Sequence, residues 1–188
     1  MIEHILEAQL INDPWDHLIV ENVFSESDWL HIQEGAKAIA PTILNGSPNL
    51  EFMESIGLIP TPTVDVIARF SKKLLENHDK ILKKLNNFDD STEYSMYIKW
   101  SMAKNSTNEI HQDKPYYAMS FTIYVSPPMA LGTILYTGRK DEDFHSVITW
   151  RPNNGFIFAP TQGISWHNYL HYGNDPRITL NFVLIKKV

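Results

Sequence analysis

The period of the hydrophobic pattern changes near residue 90, and this change constrains the fold more than any other feature of the sequence. Before it, apolar residues recur every three or four positions, as in Trp29, Ile32, Ala36 and Ile39 after the helix-start pattern Ser25–Asp28. After it, apolar and polar residues alternate, which is the period of a half-buried strand. The chain is therefore predicted to have a helical part at about 1–90 and a strand-rich part at about 91–188.

Individual elements follow from the same periods. A second, longer helix is predicted after Pro60 and Pro62, from the apolar stripe Val64, Ile67, Phe70, Leu74, Ile81 and Leu85. The segment from Pro41 to Pro60 is rich in Asn, Ser, Gly and Pro and predicts a surface loop with a short strand at most. Strands are predicted at Tyr94–Ser101, Tyr117–Ser126, Gly132–Tyr136, Phe144–Trp150, Gly155–Phe158 and Arg177–Lys187. Six short strands after two helices indicate a β-sandwich or barrel with helices on one outer face.

Length and charge limit the class of protein. The 188 residues predict one domain with a sizeable core. A net charge of -6 without a stripe of Lys and Arg argues against a binder of duplex nucleic acid. With no cysteine, disulfides and thiol chemistry are excluded. The start lacks a leader pattern and no apolar run approaches the length of a membrane span, so we expect a cytoplasmic protein without a membrane partner.

The final predicted strand carries an unusual polar face. Its apolar residues Ile178, Leu180, Phe182 and Leu184 share one side, which leaves Arg177, Thr179 and Asn181 on the other. If that side points into a barrel, the guanidinium of Arg177 needs a partner, because an unpaired buried cation is costly. A bound anion would provide one.

A second polar group lies upstream, where His111 and Asp113 stand two residues apart. On extended backbone both side chains point to the same side and can bind one metal. His145, His167 and His171 are candidates for a third ligand, and His145 sits among acidic residues typical of a surface. Two histidines and one carboxylate cover one face of an octahedral iron and leave the other positions for a chelating acid and dioxygen.

These motifs, in this order, resemble the 2-oxoglutarate and iron-dependent dioxygenases, particularly their compact prolyl-hydroxylase-like branch. The family pattern is His-x-Asp, about fifty residues, a distal His, and about ten more residues to Arg-x-Thr in a terminal strand. Tyr124-Val125-Ser126 is similar to the family's Tyr-Leu-Asn, and Gly132-Thr133-Ile134-Leu135 is similar to its Gly-Gly-Glu-Leu. The resemblance covers Tyr94 to Lys187. It departs from the family where Met102–Ile110 lacks glycines and where Thr133 replaces a glycine.

The resemblance implies a mainly β protein with flanking helices, a double-stranded β-helix (jelly-roll, cupin-like) barrel with N-terminal helices packed outside. It implies that His111, Asp113 and His167 bind Fe(II). Arg177, helped by Thr179 and Tyr124, would then bind the carboxylate of 2-oxoglutarate. His171, the competitor for the distal position, lies only six residues before Arg177, whereas His167 lies ten before it.

The implied activity is a hydroxylase that uses 2-oxoglutarate and dioxygen, with ascorbate as a stimulant. The substrate would be a peptidyl or free amino acid or a small metabolite, and the segments Pro41–Pro60 and Met102–Ile110 are expected to shape its pocket. Two alternatives stay open. One is a non-oxidative, cupin-like metal- or ligand-binding module or isomerase, and the other is a degenerate family member that acts as an interaction protein.

Overall fold

The structure is a computed structural model that describes residues 2–41 and 46–187. The helices of these residues are α1 (Ile2–Glu7), α2 (Glu26–Ile39), α3 (Leu50–Ser55), α4 (Thr61–Glu76) and α5 (His78–Lys84). The strands are β1 (Leu10–Ile11), β2 (His17–Val20), β3 (Tyr94–Ala103), β4 (Ser106–Thr107), β5 (Tyr117–Ser126), β6 (Thr133–Tyr136), β7 (Phe144–Ile148), β8 (Gly155–Phe158), β9 (Trp166–Asn168), β10 (Leu170–His171) and β11 (Arg177–Lys186). The change of period near residue 90 thus marks the end of the α-helices, although β1 and β2 precede it and a single 3-10 turn, Asp141–Asp143, follows it.

The two predicted helices are present, but the second is divided. Ser25 caps α2 by accepting a hydrogen bond from the backbone N–H of Asp28. The stripe predicted as one helix from Val64 to Leu85 forms α4 and α5, separated at Asn77. The Asn77 amide donates to the carbonyl of Lys73, and such local bonding of an asparagine competes with helical continuation. Hydrophobic period alone does not register this break.

The predicted loop between Pro41 and Pro60 contains a short helix that the sequence analysis missed. Asn49 caps α3, its side-chain oxygen accepting from the N–H of Phe52 at 2.7 Å. Leu50 and Met53, three residues apart, are the buried face of this helix. Positions 42–45 of the predicted loop lie outside the described residues. Six residues are too few for a periodic signal, which explains the wrong prediction.

The strands form antiparallel sheets that face one another without closing. The larger sheet has the order β1-β2-β8-β5-β11-β3, the smaller has the order β7-β6-β9, and β4 pairs with β10. In the middle of the larger sheet, β11 pairs along most of its length with β3 on one side and β5 on the other. This mostly β architecture with outer helices confirms the predicted fold class.

The helices cover the outer face of the larger sheet and leave its inner face for a cavity. Phe70 of α4 contacts the rings of Phe24, Phe121 and Phe182, with centroids 4.9 to 6.0 Å apart. A second apolar cluster joins the two facing sheets, and its members include Trp15, Trp150 and Phe158. Among the helices of the described residues, we find none with the length and apolar character that crossing a membrane requires.

Candidate active site

A polar cavity of about 160 Å³ lies between the two facing sheets. Its lining comes from four strands of the larger sheet (β3, β5, β8 and β11), from β6 and β9 of the smaller sheet, and from the loop before β5. Ser47 and Asn108 also contribute, so each of the two segments expected to shape a pocket reaches this cavity. All three residues of the His-x-Asp and distal His pattern line it.

His111 and His167 are neighbours because the backbone pairs them. Each N–H donates to the carbonyl of the other at 3.0 Å, which is an antiparallel bridge between residues 56 positions apart. The two rings have centroids 4.5 Å apart. His167 belongs to β9, and its partner across the smaller sheet is Leu135 of β6. Strand β9 was not predicted from the sequence, because it is only three residues long.

Asp113 completes the group. The potential ligand atoms of His111, Asp113 and His167 all lie within 4.8 Å of one another, close enough for all three to contact one metal ion. The Asp113 carboxylate accepts a short hydrogen bond from the hydroxyl of Ser120 on β5. Its backbone carbonyl accepts from the side-chain amide of Gln162 at 3.1 Å. These bonds hold the carboxylate toward the cavity.

The hydrogen bonds of the two imidazoles determine which nitrogen of each ring carries the lone pair. His111 Nδ1–H donates to the carbonyl of Glu109 at 2.9 Å, and His167 Nδ1–H donates to the carbonyl of Ser165 at 3.1 Å. Because a carbonyl can only accept, Nδ1 carries the proton in both rings and Nε2 carries the lone pair that can bind a metal. In His111 this Nε2 lies 3.5 Å from the side-chain amide nitrogen of Asn108. Burial lowers the pKa of His167, and nearby His111 acts in the same direction, against the opposite effect of Asp113. The ring is therefore neutral at pH 7.

Arg177 is the second polar centre of the cavity. It is 4% exposed, and its guanidinium lies 4.3 Å from the ring centroid of Tyr169 and 4.9 Å from that of Trp150. Its Nε has no hydrogen-bond partner, and no carboxylate among residues 2–41 and 46–187 pairs with it. Burial lowers its pKa, opposed by Tyr124 and Tyr169. An arginine remains charged even so, and it lacks an anion.

The two residues expected to help Arg177 have different surroundings. Thr179 is buried, lines the cavity and accepts a hydrogen bond from the Asn181 amide at 3.1 Å. Tyr124 is buried behind the cavity wall, with its hydroxyl bonded to Thr133 Oγ1 at 2.8 Å and its ring 6.0 Å from the guanidinium. Thr133 stands where the sequence resemblance would place a glycine, and its hydroxyl is the hydrogen-bond partner of the Tyr124 hydroxyl.

The other two histidine candidates lie elsewhere. His171 is buried in β10, where its Nε2 bonds the carbonyl of Asp175 at 2.7 Å, and it does not line the cavity. His145 contacts Asp13 at 3.1 Å. The structure thus brings His167, and not His171, to the His-x-Asp pair.

Sequence reasoning gave no role to Ser120, Asn181 and Lys99, which all line the cavity. The sequence pattern did place these residues on a shared kind of surface, since each lies on the polar side of a predicted strand. What the pattern could not provide was the pairing of those strands. Register places Asn181 between Lys99 of β3 and Thr122 of β5, so three polar faces form one floor.

Comparison of the sequence with protein-family models and with curated proteins finds no match. Solved structures do match. A prolyl 4-hydroxylase from Phytophthora capsici aligns with a TM-score of 0.64 and 11% identity over 90% of this chain. A viral collagen prolyl hydroxylase from Paramecium bursaria Chlorella virus 1, solved with 2-oxoglutarate, gives 0.58 and 12% over 95%, and a Pseudomonas putida prolyl 4-hydroxylase gives 0.60 and 11% over 92%.

Coverage of those proteins differs. This chain spans 58% of the Phytophthora enzyme, 99% of the viral enzyme and 93% of the bacterial enzyme. At identities of 11% and 12%, the similarity concerns the fold. The chain thus has the double-stranded β-helix fold of the 2-oxoglutarate and Fe(II)-dependent oxygenases, in the form found in prolyl 4-hydroxylases.

Proposed function

We propose that this protein is a 2-oxoglutarate and Fe(II)-dependent dioxygenase that hydroxylates a small substrate. The observation that carries the proposal is the presence, in one cavity, of a two-histidine, one-carboxylate group and a buried arginine without an anion. Either feature alone is compatible with other proteins. Together they match the two needs of such an enzyme, a metal with free coordination positions and a clamp for an acidic co-substrate.

His111, Asp113 and His167 would bind the iron. The donor set suits Fe(II), because two neutral imidazoles and one carboxylate on one face leave the remaining positions open. Bound iron would supply the activation of dioxygen, with 2-oxoglutarate as the reductant. The overall reaction consumes 2-oxoglutarate, dioxygen and a C–H bond of the substrate, and it yields succinate, carbon dioxide and the corresponding C–OH.

Arg177 would bind the carboxylate of 2-oxoglutarate that is remote from the metal. A planar guanidinium can donate two parallel hydrogen bonds to a carboxylate, and its Nε–H is available for one of them. Thr179 lies two residues along the same face and adds a hydroxyl. This ion pair between the guanidinium and the carboxylate would be buried among Tyr169, Trp150 and Tyr124. Little water would therefore compete for its hydrogen bonds.

The protein's other task is to limit water at the metal. Phe158 packs edge-on against the His167 ring with centroids 5.0 Å apart, and Phe156 stacks on Phe158 at 5.1 Å. These aromatic walls cover one side of the site. A dry cavity protects a reactive oxidant and strengthens the electrostatic attraction between the co-substrate and Arg177.

The test is succinate formation from 2-oxoglutarate with ferrous iron and ascorbate, without a prime substrate. We expect slow uncoupled turnover by the wild type and none by Asp113→Ala. Arg177→Ala should raise the concentration of 2-oxoglutarate needed for half-maximal rate by about ten- to hundredfold, because it removes a charge-assisted hydrogen-bonding partner. Asp65→Ala and Arg139→Ala, at exposed positions outside the cavity, serve as matched controls and should behave like the wild type.

Two results would overturn the proposal. One is undiminished succinate formation by Asp113→Ala. The other is no turnover together with no binding of 2-oxoglutarate to the metal-loaded wild type. Since the same donor set also occurs in zinc sites, metal binding without dioxygen consumption would favour the non-oxidative module instead.

A further inference from the structure

Lys99 is a second cation in the cavity, and the proposed chemistry does not use it. It lies on the inward face of β3, is half-buried and lines the cavity. Within the described parts of the chain, its ammonium group makes no ion pair or hydrogen bond with another residue. Keeping a strongly hydrated ammonium in a partly dry cavity without a partner is unfavourable, so its position needs an explanation.

The neutral polar groups around Lys99 already satisfy one another. The Asn181 amide nitrogen donates to Ser101 Oγ at 3.0 Å and to Thr179 Oγ1 at 3.1 Å. Its oxygen accepts from Thr122 Oγ1 at 2.9 Å. Ser101 in turn contacts Ser47 Oγ at 3.1 Å. The floor of the cavity is thus a completed network, whereas the two cations that line the cavity, Lys99 and Arg177, have no anionic partner within residues 2–41 and 46–187.

Lys99 and Arg177 start from well-separated backbone positions on the floor of the cavity. Lys99 pairs in register with Asn181, four residues along β11 from Arg177, which is about 13 Å at the rise of a strand. Lys99 is also two strands, or about 10 Å, across the sheet from Thr122, which lies two residues along β5 from Ser120, the partner of Asp113. A molecule held by Lys99 could therefore reach toward the metal group while 2-oxoglutarate occupies the Arg177 end.

The charges of the loaded site lead to the same conclusion. The charged lining residues are Lys99, Asp113 and Arg177, with His111 and His167 neutral as ligands. A divalent iron brings the sum to three positive charges, and the 2-oxoglutarate dianion reduces it to one. The remaining positive charge is that of Lys99. A substrate with one negative charge would neutralise the cavity, which favours its binding in a medium of low dielectric constant.

We propose that Lys99 binds a carboxylate of the prime substrate, which is therefore a small organic acid with one net negative charge, instead of an internal residue of a peptide. This inference rests on the proposed dioxygenase function and names its substrate class.

The experiment measures binding without turnover. Wild-type protein is loaded with Mn(II) and saturating 2-oxoglutarate, and binding of the co-substrate is verified first. Two pools of probes are then compared by the broadening of their proton resonances near the paramagnetic metal. One pool contains small aliphatic monocarboxylic acids without an ammonium group, and the other contains their carboxamides, which have nearly the same shape without the charge.

We expect at least one acid, and none of the carboxamides, to be broadened. For that acid, Lys99→Met should weaken binding by about ten- to hundredfold, the effect of removing a charged hydrogen-bond donor. Lys99→Arg keeps the charge and should retain most of the affinity. Lys37→Met, at an exposed lysine of α2, is the matched control and should bind like the wild type. Saturation with 2-oxoglutarate ensures that the acids do not occupy the Arg177 end.

The outcomes separate the two proposals. Failure of the wild type to bind 2-oxoglutarate would count against the dioxygenase function itself. If 2-oxoglutarate binds but no acid does, if acids and carboxamides bind alike, or if Lys99→Met binds the acid as tightly as the wild type, the assignment of Lys99 is wrong. The comparison of acid with carboxamide uses wild-type protein alone, so it can overturn the assignment of Lys99 even if Lys99→Met fails to fold.

Discussion

At the residue scale, each candidate metal ligand is oriented by a hydrogen bond to a group that would not bind the metal. The imidazoles of His111 and His167 donate to backbone carbonyls, and the Asp113 carboxylate accepts from Ser120. Such outer contacts orient ligands before the metal arrives, which lowers the entropy cost of binding. Backbone carbonyls cannot be removed by substitution, so Ser120 is the outer contact that mutation can test.

Ser120→Ala should weaken metal binding by about ten- to hundredfold, because the Asp113 carboxylate loses the donor that orients it. The measurement is a titration of the metal-free protein with Mn(II). Ser71→Ala, on α4 and outside the cavity, is the control and should bind Mn(II) with wild-type affinity. Equal affinities for Ser120→Ala and the wild type would show that the carboxylate is positioned by other contacts.

At the element scale, the distal histidine depends on β6. Strand β9 has three residues and pairs with β6, and β6 also pairs with β7. Gly132 enters β6 where the chains are so close that a Cβ atom would lie 1.6 Å from the carbonyl oxygen of Ile148. The glycine of the family-like motif thus has a steric role, since it lets two strands of the smaller sheet approach each other.

Gly132→Ala should destabilise the protein by about 1–3 kcal/mol, because backbone atoms of β6 or β7 must move to admit the methyl group. Chemical denaturation of the metal-free protein measures this change. The expected secondary effect is weaker Mn(II) binding, as β6 shifts the position of His167. Leu131→Ala, at the exposed preceding residue, is the control for simple truncation nearby. A variant with wild-type stability would contradict the steric role of Gly132.

At the scale of the whole molecule, the N-terminal segment is part of the larger sheet. Strand β2 pairs with β8, and His17 is 2% exposed, with its ring against Trp15 and Phe156. Burial lowers the pKa of His17, although its bond to the Trp15 carbonyl and the nearby Asp13 and Asp16 act in the opposite direction. Folding therefore favours the neutral ring, and the proton balance of this residue links pH to global stability.

Acidification should reduce the free energy of unfolding through His17. Its unfolded pKa is about 6.5. Below that value the unfolded chain binds a proton that the folded chain does not bind until its lower pKa is reached. This contribution to stability is complete above pH about 6.5 and decreases by up to about 1.4 kcal/mol per pH unit as pH falls through the interval between the two pKa values.

Urea denaturation of chelator-treated protein at several pH values tests this linkage. His17→Gln should lose stability less steeply than the wild type below pH about 6.5, because the residue no longer titrates. Both proteins keep His111 and His167, so any effect of these two residues cancels in the difference. Gln33→Ala, on α2, changes no titratable group and is the control, which should keep the wild-type slope. Parallel slopes for His17→Gln and wild type would exclude His17 as the linked group.

The sequence by itself determined the class of fold and most of the site. Alternation after Tyr94 and helical spacing before it reflect which face of each element is buried, and this information is local. The polar face of Arg177, Thr179 and Asn181 and the His111–Asp113 pair were readable for the same reason. The break at Asn77 and the helix α3 were not, since they depend on side-chain capping over a few residues.

Only the tertiary structure decided which distant groups meet. The family-like spacing already favoured His167 over His171, but the antiparallel bridge that joins His167 to His111 connects residues 56 positions apart, which no local period encodes. The same holds for the contact of Ser120 with Asp113 and for the place of Lys99 beside Asn181, both set by the order and register of β3, β11 and β5. Strand pairing is a non-local choice made by the packing of the whole sheet, so the sequence supplies the side chains and the sheet brings them into one cavity.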